Sequence, residues 1–132
     1  MSNIIQVINS LPNLLSFKPA EECQIVDAAI QLRISFAEEY KEYLAEFGAI
    51  LADGIELSGI AKSDHRSVVA LTQKEWSLNP KVSHNMYVIE NTCIDGIVVW
   101  QDASGAIYQS RPFMEPIKIA DSFSDYLLSR RK

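Results

Sequence analysis

The chain has 132 residues, of which 48% are hydrophobic and 22% are charged, values typical of one globular domain with one core. We therefore predict a single domain over residues 1–132 that requires neither a disulfide nor a structural metal. Cys23 and Cys93 match no metal-ligand or Cys-x-x-Cys spacing, which indicates two free thiols in a reducing cytoplasm. No segment resembles a secretion signal or a membrane span, so we expect a cytoplasmic protein.

The formal charge of −5, from 17 acids and 12 bases, disfavours nonspecific binding to nucleic acid or to an anionic membrane. The acids are unevenly distributed along the chain. Between Glu21 and Glu56 there are nine acids and two bases, a balance of −7, whereas the remaining 8 acids and 10 bases give +2. Negative charge is thus concentrated in the first half of the chain, where helices are predicted.

The N-terminal segment predicts two helices. Apolar residues at near-helical spacing indicate a short helix between Asn3 and Leu15, ended or bent by Pro12. A second helix is predicted to begin near Pro19, because proline suits a first helical turn. We expect the inward face of this second helix to carry four residues: Cys23, Val26, Ala29 and Ile30.

The third predicted helix covers Phe36 to Phe47. Ser35 followed by Glu38 forms the pattern of a capping box, and Gly48 suits the left-handed position at a helix end. The spacing predicts a buried stripe made of Phe36, Tyr40, Leu44 and Phe47. Tyr43 is predicted to lie nearer the edge of this stripe. Glu38, Glu42 and Glu46 follow one another at i+4 steps on the flank of this helix, with Glu39 beside them.

The second half of the chain is predicted to be rich in strands. Ala49–Ala52 and Ile55–Ser58 flank Asp53-Gly54, a dipeptide that favours a type I′ hairpin. Ser67–Trp76 predicts a further helix, although Thr72 and Glu75 are equally suited to cap a later start. Three short β-prone runs then predict an antiparallel meander: Met86–Glu90, Gly96–Gln101 and Ala106–Ser110. A brief strand at Ile117–Ala120 and a final helix that starts near Ser122 are predicted to follow.

The order of these elements predicts an α+β fold, in which N-terminal helices cover one face of a mostly antiparallel sheet and a C-terminal helix completes the domain. Trp100 ends the apolar run Ile97–Val99, which favours burial of its side chain. Trp76 lies at an element boundary, where burial in the core and contact with a partner are both compatible with the pattern.

No pattern in the sequence indicates catalysis. His65 and His84 lie in polar segments without metal-ligand spacing, and no nucleophile motif or phosphate-binding loop is present. Asp53 and Glu56 lack the alternating ligands of a calcium loop, so they are interpreted as charged hairpin residues. We therefore predict no catalytic residue, no metal and no cofactor.

Five segments follow one another along the chain: Phe36–Gly48, Ile55–Ile60, Tyr87–Asn91, Asp102–Tyr108 and Ile119–Leu127. The first is a helix ending in Phe-Gly, the second is a strand with Gly-Ile, and an Asp-Gly pair at Asp95-Gly96 follows the third. In this order the segments resemble the SUKH superfamily, which includes bacterial immunity proteins and a yeast cell-wall regulator. Cys93 stands where the family pattern leads us to expect glycine.

The resemblance implies a protein without enzymatic activity that binds and neutralises a cognate toxin. In this family such toxins are secreted or delivered by contact, and they are often nucleases. An acidic surface would suit a basic nuclease, although the same acids also serve as a solvated helix face that maintains solubility. The predicted partner-binding residues are Glu38, Glu39, Glu42, Glu46, Asp53 and Trp76.

Two other classes of function remain open at this point. A regulatory module would hold a small ligand or a peptide in a groove between helices and sheet. A hydrolase would have its site spread across several loops. A neighbouring gene that encodes a large toxin with a variable C-terminal domain would favour immunity over both.

Overall fold

The computed structural model of the chain describes residues 4–130. Within this range the chain forms five helices and seven strands, which confirms the predicted α+β class with a C-terminal helix. The helices are α1 (Ile4–Asn9), α2 (Glu22–Leu32), α3 (Glu38–Phe47), α4 (Val68–Leu78) and α5 (Phe123–Arg130). The strands are β1 (Leu15–Ser16), β2 (Ile50–Ala52), β3 (Ile55–Leu57), β4 (Tyr87–Asn91), β5 (Val98–Gln101), β6 (Ile107–Ser110) and β7 (Ile117–Ala120).

The strands form two antiparallel sheets rather than one. The three-stranded sheet has the order β1-β2-β3, and the four-stranded sheet is the predicted meander β4-β5-β6-β7. The short strand β1 was not predicted, since its two residues form a strand only by pairing with β2. Hydrogen bonds from the Ser58 N–H to the Ile89 carbonyl (2.8 Å) and from Ser58 Oγ to the Val88 carbonyl (2.7 Å) join the end of β3 to β4.

The N-terminal helices and the C-terminal helix cover one face of the four-stranded sheet, as predicted, and α4 contributes to a second cluster on the other face. Alternate residues of β4 and β5 point to opposite faces. Tyr87 and Val99 join the large core beneath α1, α2, α3 and α5. Val88 and Trp100 join a second, smaller cluster that includes Leu71 of α4. Trp100 is fully buried, as predicted, and its Nε1 donates to Ser110 Oγ at 2.8 Å.

The third helix contacts α1, α2 and α5 and contributes most of its apolar side chains to the core. The predicted buried stripe is confirmed, but Tyr43, which we placed near the edge, is fully buried. Ser58 explains this burial, because its Oγ accepts from Tyr40 Oη at 2.8 Å and its carbonyl accepts from Tyr43 Oη at 2.7 Å. Burial raises the pKa of both Tyr40 and Tyr43, so both remain protonated donors.

The two ends of α3 differ in how well they were predicted. The capping box of Ser35 and Glu38 is absent, since Ala37 is the N-cap residue and has no side-chain capping bond. The residues before the helix are held by the sheet instead, because the Ala37 N–H donates to Tyr87 Oη at 2.9 Å. Gly48 ends the helix with φ of 74°, and a Cβ atom there would lie 2.0 Å from the Lys18 carbonyl oxygen.

Several other predicted boundaries and turns are refined by the structure. The first helix ends at Asn9, three residues before Pro12, and its predicted start at Asn3 lies outside the described residues. In the β2–β3 hairpin only Gly54 of the central pair has positive φ (71°), so the turn is not type I′. Helix α4 begins after Ser67, whose Oγ accepts from the Ala70 N–H, and not at a later cap.

The loop from β4 to β5 explains why the family pattern led us to expect glycine at Cys93. This residue has φ of 57°, in the left-handed region that glycine adopts without steric cost. Its N–H donates to Asn91 Oδ1 at 3.0 Å, which holds the backbone in this conformation. The Cys93 side chain is exposed, as is that of Cys23, and both thiols are free.

Candidate functional site

A groove of about 1050 Å³ lies between α2 and α3. The loop before β4 contributes His84 and Asn85 to one end, and the β5–β6 turn contributes Ala103. We call this opening the α2–α3 groove. Its apolar lining consists chiefly of Val26, Ala29, Ile30, Ile34, Phe36 and Ala45.

The apolar lining from α2 corrects the predicted phase of that helix. Of the four residues predicted to face inward, Cys23 is exposed, Val26 is 49% exposed and Ile30 is 66% exposed. Ala29 is partly buried. The core takes Ile25, Ala28 and Leu32 instead. The helix therefore has a second apolar face, which lies along the groove.

This second face could have been recognised in the sequence. At about 100° per residue, the apolar residues of α2 cover more than half of the helix circumference, wider than the single stripe of an ordinary surface helix. A core contact on one side of α2 leaves the other apolar residues uncovered. Which side is buried depends on the packing of α2 against α3 and α4, which the spacing alone does not determine.

The rim of the α2–α3 groove is charged. Glu22 of α2 and Arg33, the residue that follows this helix, line one side, and Lys41 and Glu42 line the other from α3. Lys41 forms an ion pair with Glu38 at 3.3 Å, in which both side chains are largely exposed. Such an exposed pair contributes little to stability.

Glu42 has an unusual position on this rim. Its Oε2 atom is buried and has no hydrogen-bond partner among residues 4–130. A buried carboxylate oxygen without a donor is unfavourable, because the protein does not replace the hydrogen bonds that water would make. The Glu42 side chain as a whole is only partly buried and lines the groove.

Glu39 serves a different purpose from its neighbours. Its Oε1 accepts from the Phe123 N–H at 2.9 Å, and its Oε2 accepts from the Ser124 N–H at 3.2 Å and from Ser124 Oγ at 2.6 Å. These are the free donors at the start of α5, where a negative charge is also favoured by the helix dipole. Glu39 therefore joins α3 to α5, on the side away from the groove.

The structure brings only some of the predicted partner-binding residues together. Glu42 lines the groove, and Glu38 and Glu46 are exposed on the same helix. Asp53 belongs to the β2–β3 hairpin, where its Oδ2 accepts from Asn13 Nδ2 at 2.8 Å, and it does not line the groove. Trp76 is partly buried between the two hydrophobic clusters.

Trp76 approaches the groove through His84. The two rings stack with centroids 4.3 Å apart and planes inclined by 12°, and His84 lines the end of the groove. The Trp76 Nε1 donates to the Met86 carbonyl at 3.2 Å. Trp76 thus stacks on His84 at the end of the groove and also contributes to the packing of α4. Its contact with a partner stays a prediction.

Within residues 4–130, no cluster of three or more His, Cys, Asp and Glu side chains is arranged to hold a metal ion. In the same range, none of the helices has the length and apolarity needed to cross a membrane. The α2–α3 groove has an apolar floor, a charged rim and one carboxylate oxygen that lacks a partner among residues 4–130.

The fold resembles a solved structure. A crystal structure of a protein from Pseudomonas syringae pv. tomato aligns with a TM-score of 0.74 over 96% of this chain and 94% of that one. The two sequences are 17% identical, so this likeness concerns the fold alone. No curated protein sequence matches the chain.

The family assignment comes from the sequence pattern as a whole. The family model described as SMI1-KNR4 cell-wall, SUKH_5, matches residues 1–130. This match extends over the segments that carry the resemblance, from the Phe-Gly helix end to the C-terminal helix. The chain therefore belongs to the SUKH family.

Proposed function

We propose that the chain is an immunity protein that binds and neutralises a cognate toxin, and that the toxin docks on the surface formed by α2 and α3. The SUKH family includes toxin-immunity proteins. The observation that carries the proposal is the α2–α3 groove, because an apolar opening with a charged rim matches the core and rim of protein-binding surfaces. The proposal places the protein in the cytoplasm and includes no catalytic step.

The charge of this surface supports a basic partner. Residues 21–47 contain seven acids and two bases, a balance of −5 that equals the formal charge of the whole chain. Glu39 is engaged with α5 and Glu38 forms an ion pair with Lys41, and the exposed Glu22 and Glu46 contribute negative charge that can attract a basic partner. A nuclease toxin has a basic surface because its substrate is anionic, so complementary charge would accelerate the encounter and cover the nucleic-acid site.

A second candidate function is a regulatory module that binds a small ligand or a peptide. The volume of the groove, about 1050 Å³, favours this candidate, because it lies at the upper end of the range of small-molecule sites. The two candidates differ in their genetic context, since an immunity gene adjoins the gene of its toxin. They also differ in the partner that copurifies with the protein.

The proposal is tested with the toxin domain encoded beside the gene. Coexpression of the chain should restore growth of cells that produce this domain, and the two proteins should copurify. Continued growth arrest together with the absence of a complex would contradict the proposal. A purified chain that turns over a substrate, with activity lost on mutation of one polar residue, would also contradict it.

The docking surface is tested by association kinetics. Reversing Glu42 and Glu46 to lysine should slow association at least severalfold and leave the fold intact, because surface charges act mainly by steering. Added salt should produce the same defect in the unmodified protein. The matched control reverses Glu115 and Asp125, two exposed acids outside α2 and α3, and should change the rate much less. Equal rates for the two double variants would exclude this surface.

A further inference from the structure

The α2–α3 groove is about as long as three turns of an α-helix. Its lining residues on one side extend from Glu22, at the start of α2, to Arg33, just after its end. These two residues are about 16 Å apart along the helix at a rise of 1.5 Å per residue. This corresponds to about three helical turns of a ligand lying beside α2. A compact metabolite would cover only part of this length, whereas a helix laid in the groove would contact all of it.

The exposed side chains along the groove repeat at helical spacing. Val26 and Ile30 lie one turn apart on α2 and are 49% and 66% exposed. On the other wall, Lys41 and Ala45 lie one turn apart on α3. The small side chains of Ala29 and Ala45 leave room between the two helices. A row of apolar side chains at i, i+3, i+4 and i+7 on a partner helix would fit between these walls.

Charge distinguishes among the possible occupants. The residues that line the groove include two acids, Glu22 and Glu42, and two bases, Arg33 and Lys41, whereas the wider stretch from Glu21 to Phe47 carries a balance of −5. A second copy of the chain would place two such acidic stretches against each other. A cationic segment would be attracted to the same surface. Its lysine or arginine would also supply the donor that Glu42 Oε2 lacks, and a charge-assisted hydrogen bond of this kind is stronger than a neutral one.

We propose that the α2–α3 groove binds a cationic amphipathic helix of the partner protein, with apolar side chains among Val26, Ile30 and Ile34 and one lysine or arginine paired with Glu42. This inference rests on the proposed function, because it names the part of the toxin that docks. It assigns to Glu42 a specific pairing, whereas Glu38 and Glu46 contribute charge to the surrounding surface.

The probe is a synthetic amphipathic peptide of about 18 residues with leucine on one face and lysine on the flanks. Binding to the full chain is measured by calorimetry at about 150 mM salt, where exposed charges are screened beyond about 8 Å. The first comparison peptide has glutamate in place of lysine, and the second contains the same residues in a scrambled, nonamphipathic order. We expect binding of the leucine-lysine peptide at least about tenfold tighter than that of either comparison peptide.

Matched variants locate the binding site. Ile30→Ser and Glu42→Gln should each weaken binding of the leucine-lysine peptide by about tenfold, which corresponds to about 1.4 kcal/mol. Glu46→Gln, on the same helix but outside the groove, and Phe113→Ser, at a residue that is 72% exposed elsewhere, should bind within about twofold of the unmodified chain. All four positions are at least partly exposed, so thermal melts should show that each variant folds.

Several results would overturn the inference. These are equal binding of the leucine-glutamate peptide, unchanged binding in Ile30→Ser and Glu42→Gln, or saturation of the groove by a small apolar dye in the absence of peptide binding. A dimer in sedimentation that Ile30→Ser dissociates would instead assign the groove to a second copy. If the toxin is neutralised equally well by Ile30→Ser and Glu42→Gln, the inference fails and the proposed function stands. If the peptide binds as expected but no toxin is neutralised, the proposed function fails while the cationic-helix specificity of the groove stands.

Discussion

The carboxylates of Glu39 and Glu42 lie on opposite sides of α3 and differ in their hydrogen bonding. On the side of α5, Glu39 accepts three hydrogen bonds from Phe123 and Ser124. On the side of α2, Glu42 lines an open groove and has an oxygen without a partner. The first carboxylate is used by the fold, whereas the second is the one that we assign to the partner. Residue type and helical position alone do not distinguish these two roles.

The apolar residues show the same contrast. Leu44 is fully buried in the core, one residue before Ala45 on the groove wall. On α2, Ala28 is buried while Ile30 is 66% exposed, although isoleucine is the more hydrophobic residue. Val26 and Ile30 are both exposed and lie one turn apart along the groove, so they form a continuous apolar surface of the kind on which the proposed docking rests. The comparison therefore separates the residues that stabilise the fold from those assigned to the partner.

The largest expected effect is on the core side of α3. Leu44→Ala should lower the free energy of unfolding by about 2–5 kcal/mol, since it removes a fully buried side chain and leaves a cavity. Ile30→Ala on the groove side is the matched control and should change it by less than about 0.5 kcal/mol. Urea denaturation of both variants gives the two values. A similar loss in both would contradict the distinction between core and groove.

A smaller effect is expected from the two glutamates. Glu39→Ala should destabilise the chain by about 1–3 kcal/mol, because the N–H groups of Phe123 and Ser124 lose a charged acceptor. Glu42→Ala should be neutral or slightly stabilising, because it removes an oxygen that has no donor. Amide hydrogen exchange at the start of α5 should accelerate only in the Glu39 variant. Faster exchange there in the Glu42 variant would show that the two sides are coupled.

The smallest expected effect concerns the buried Glu75 of α4. Burial raises the pKa of Glu75, against a smaller opposing effect of the Lys74 charge. A carboxyl whose folded pKa exceeds its unfolded value destabilises the fold once pH rises above both values, and it has no such effect below both. Glu75→Gln should therefore raise Tm slightly at pH 7 and leave it unchanged near pH 3. A gain that persists at pH 3 would show that the effect is not electrostatic.

Much of the fold was predictable from the sequence. The helix from Glu38 to Phe47, the meander, the C-terminal helix and the burial of Trp100 all follow from local patterns of apolar residues and turn signals. These elements bury one clear apolar stripe or a continuous apolar run. In such cases the periodicity and the tertiary packing require the same arrangement.

The candidate site was predicted only in part. The sequence identified the acidic helix that contains Glu42, but it grouped Glu39 and Asp53 with it and assigned the apolar face of α2 to the core. The contacts that place Glu39 and Asp53 away from the groove join residues far apart in the chain, namely Glu39 with Ser124 and Asn13 with Asp53. Spacing within one element carries no information about such pairings.

The sequence by itself determined the family, the α+β class and the order of the elements, because these depend on local periodicity, turn residues and a motif order spread over the whole chain. Only the tertiary structure decided which apolar face of α2 is buried, which glutamate of α3 caps α5 and where the groove opens. The physical reason is that α2 has more apolar surface than one core contact covers. The remaining apolar surface of α2 lines a groove only once α3 is packed beside it.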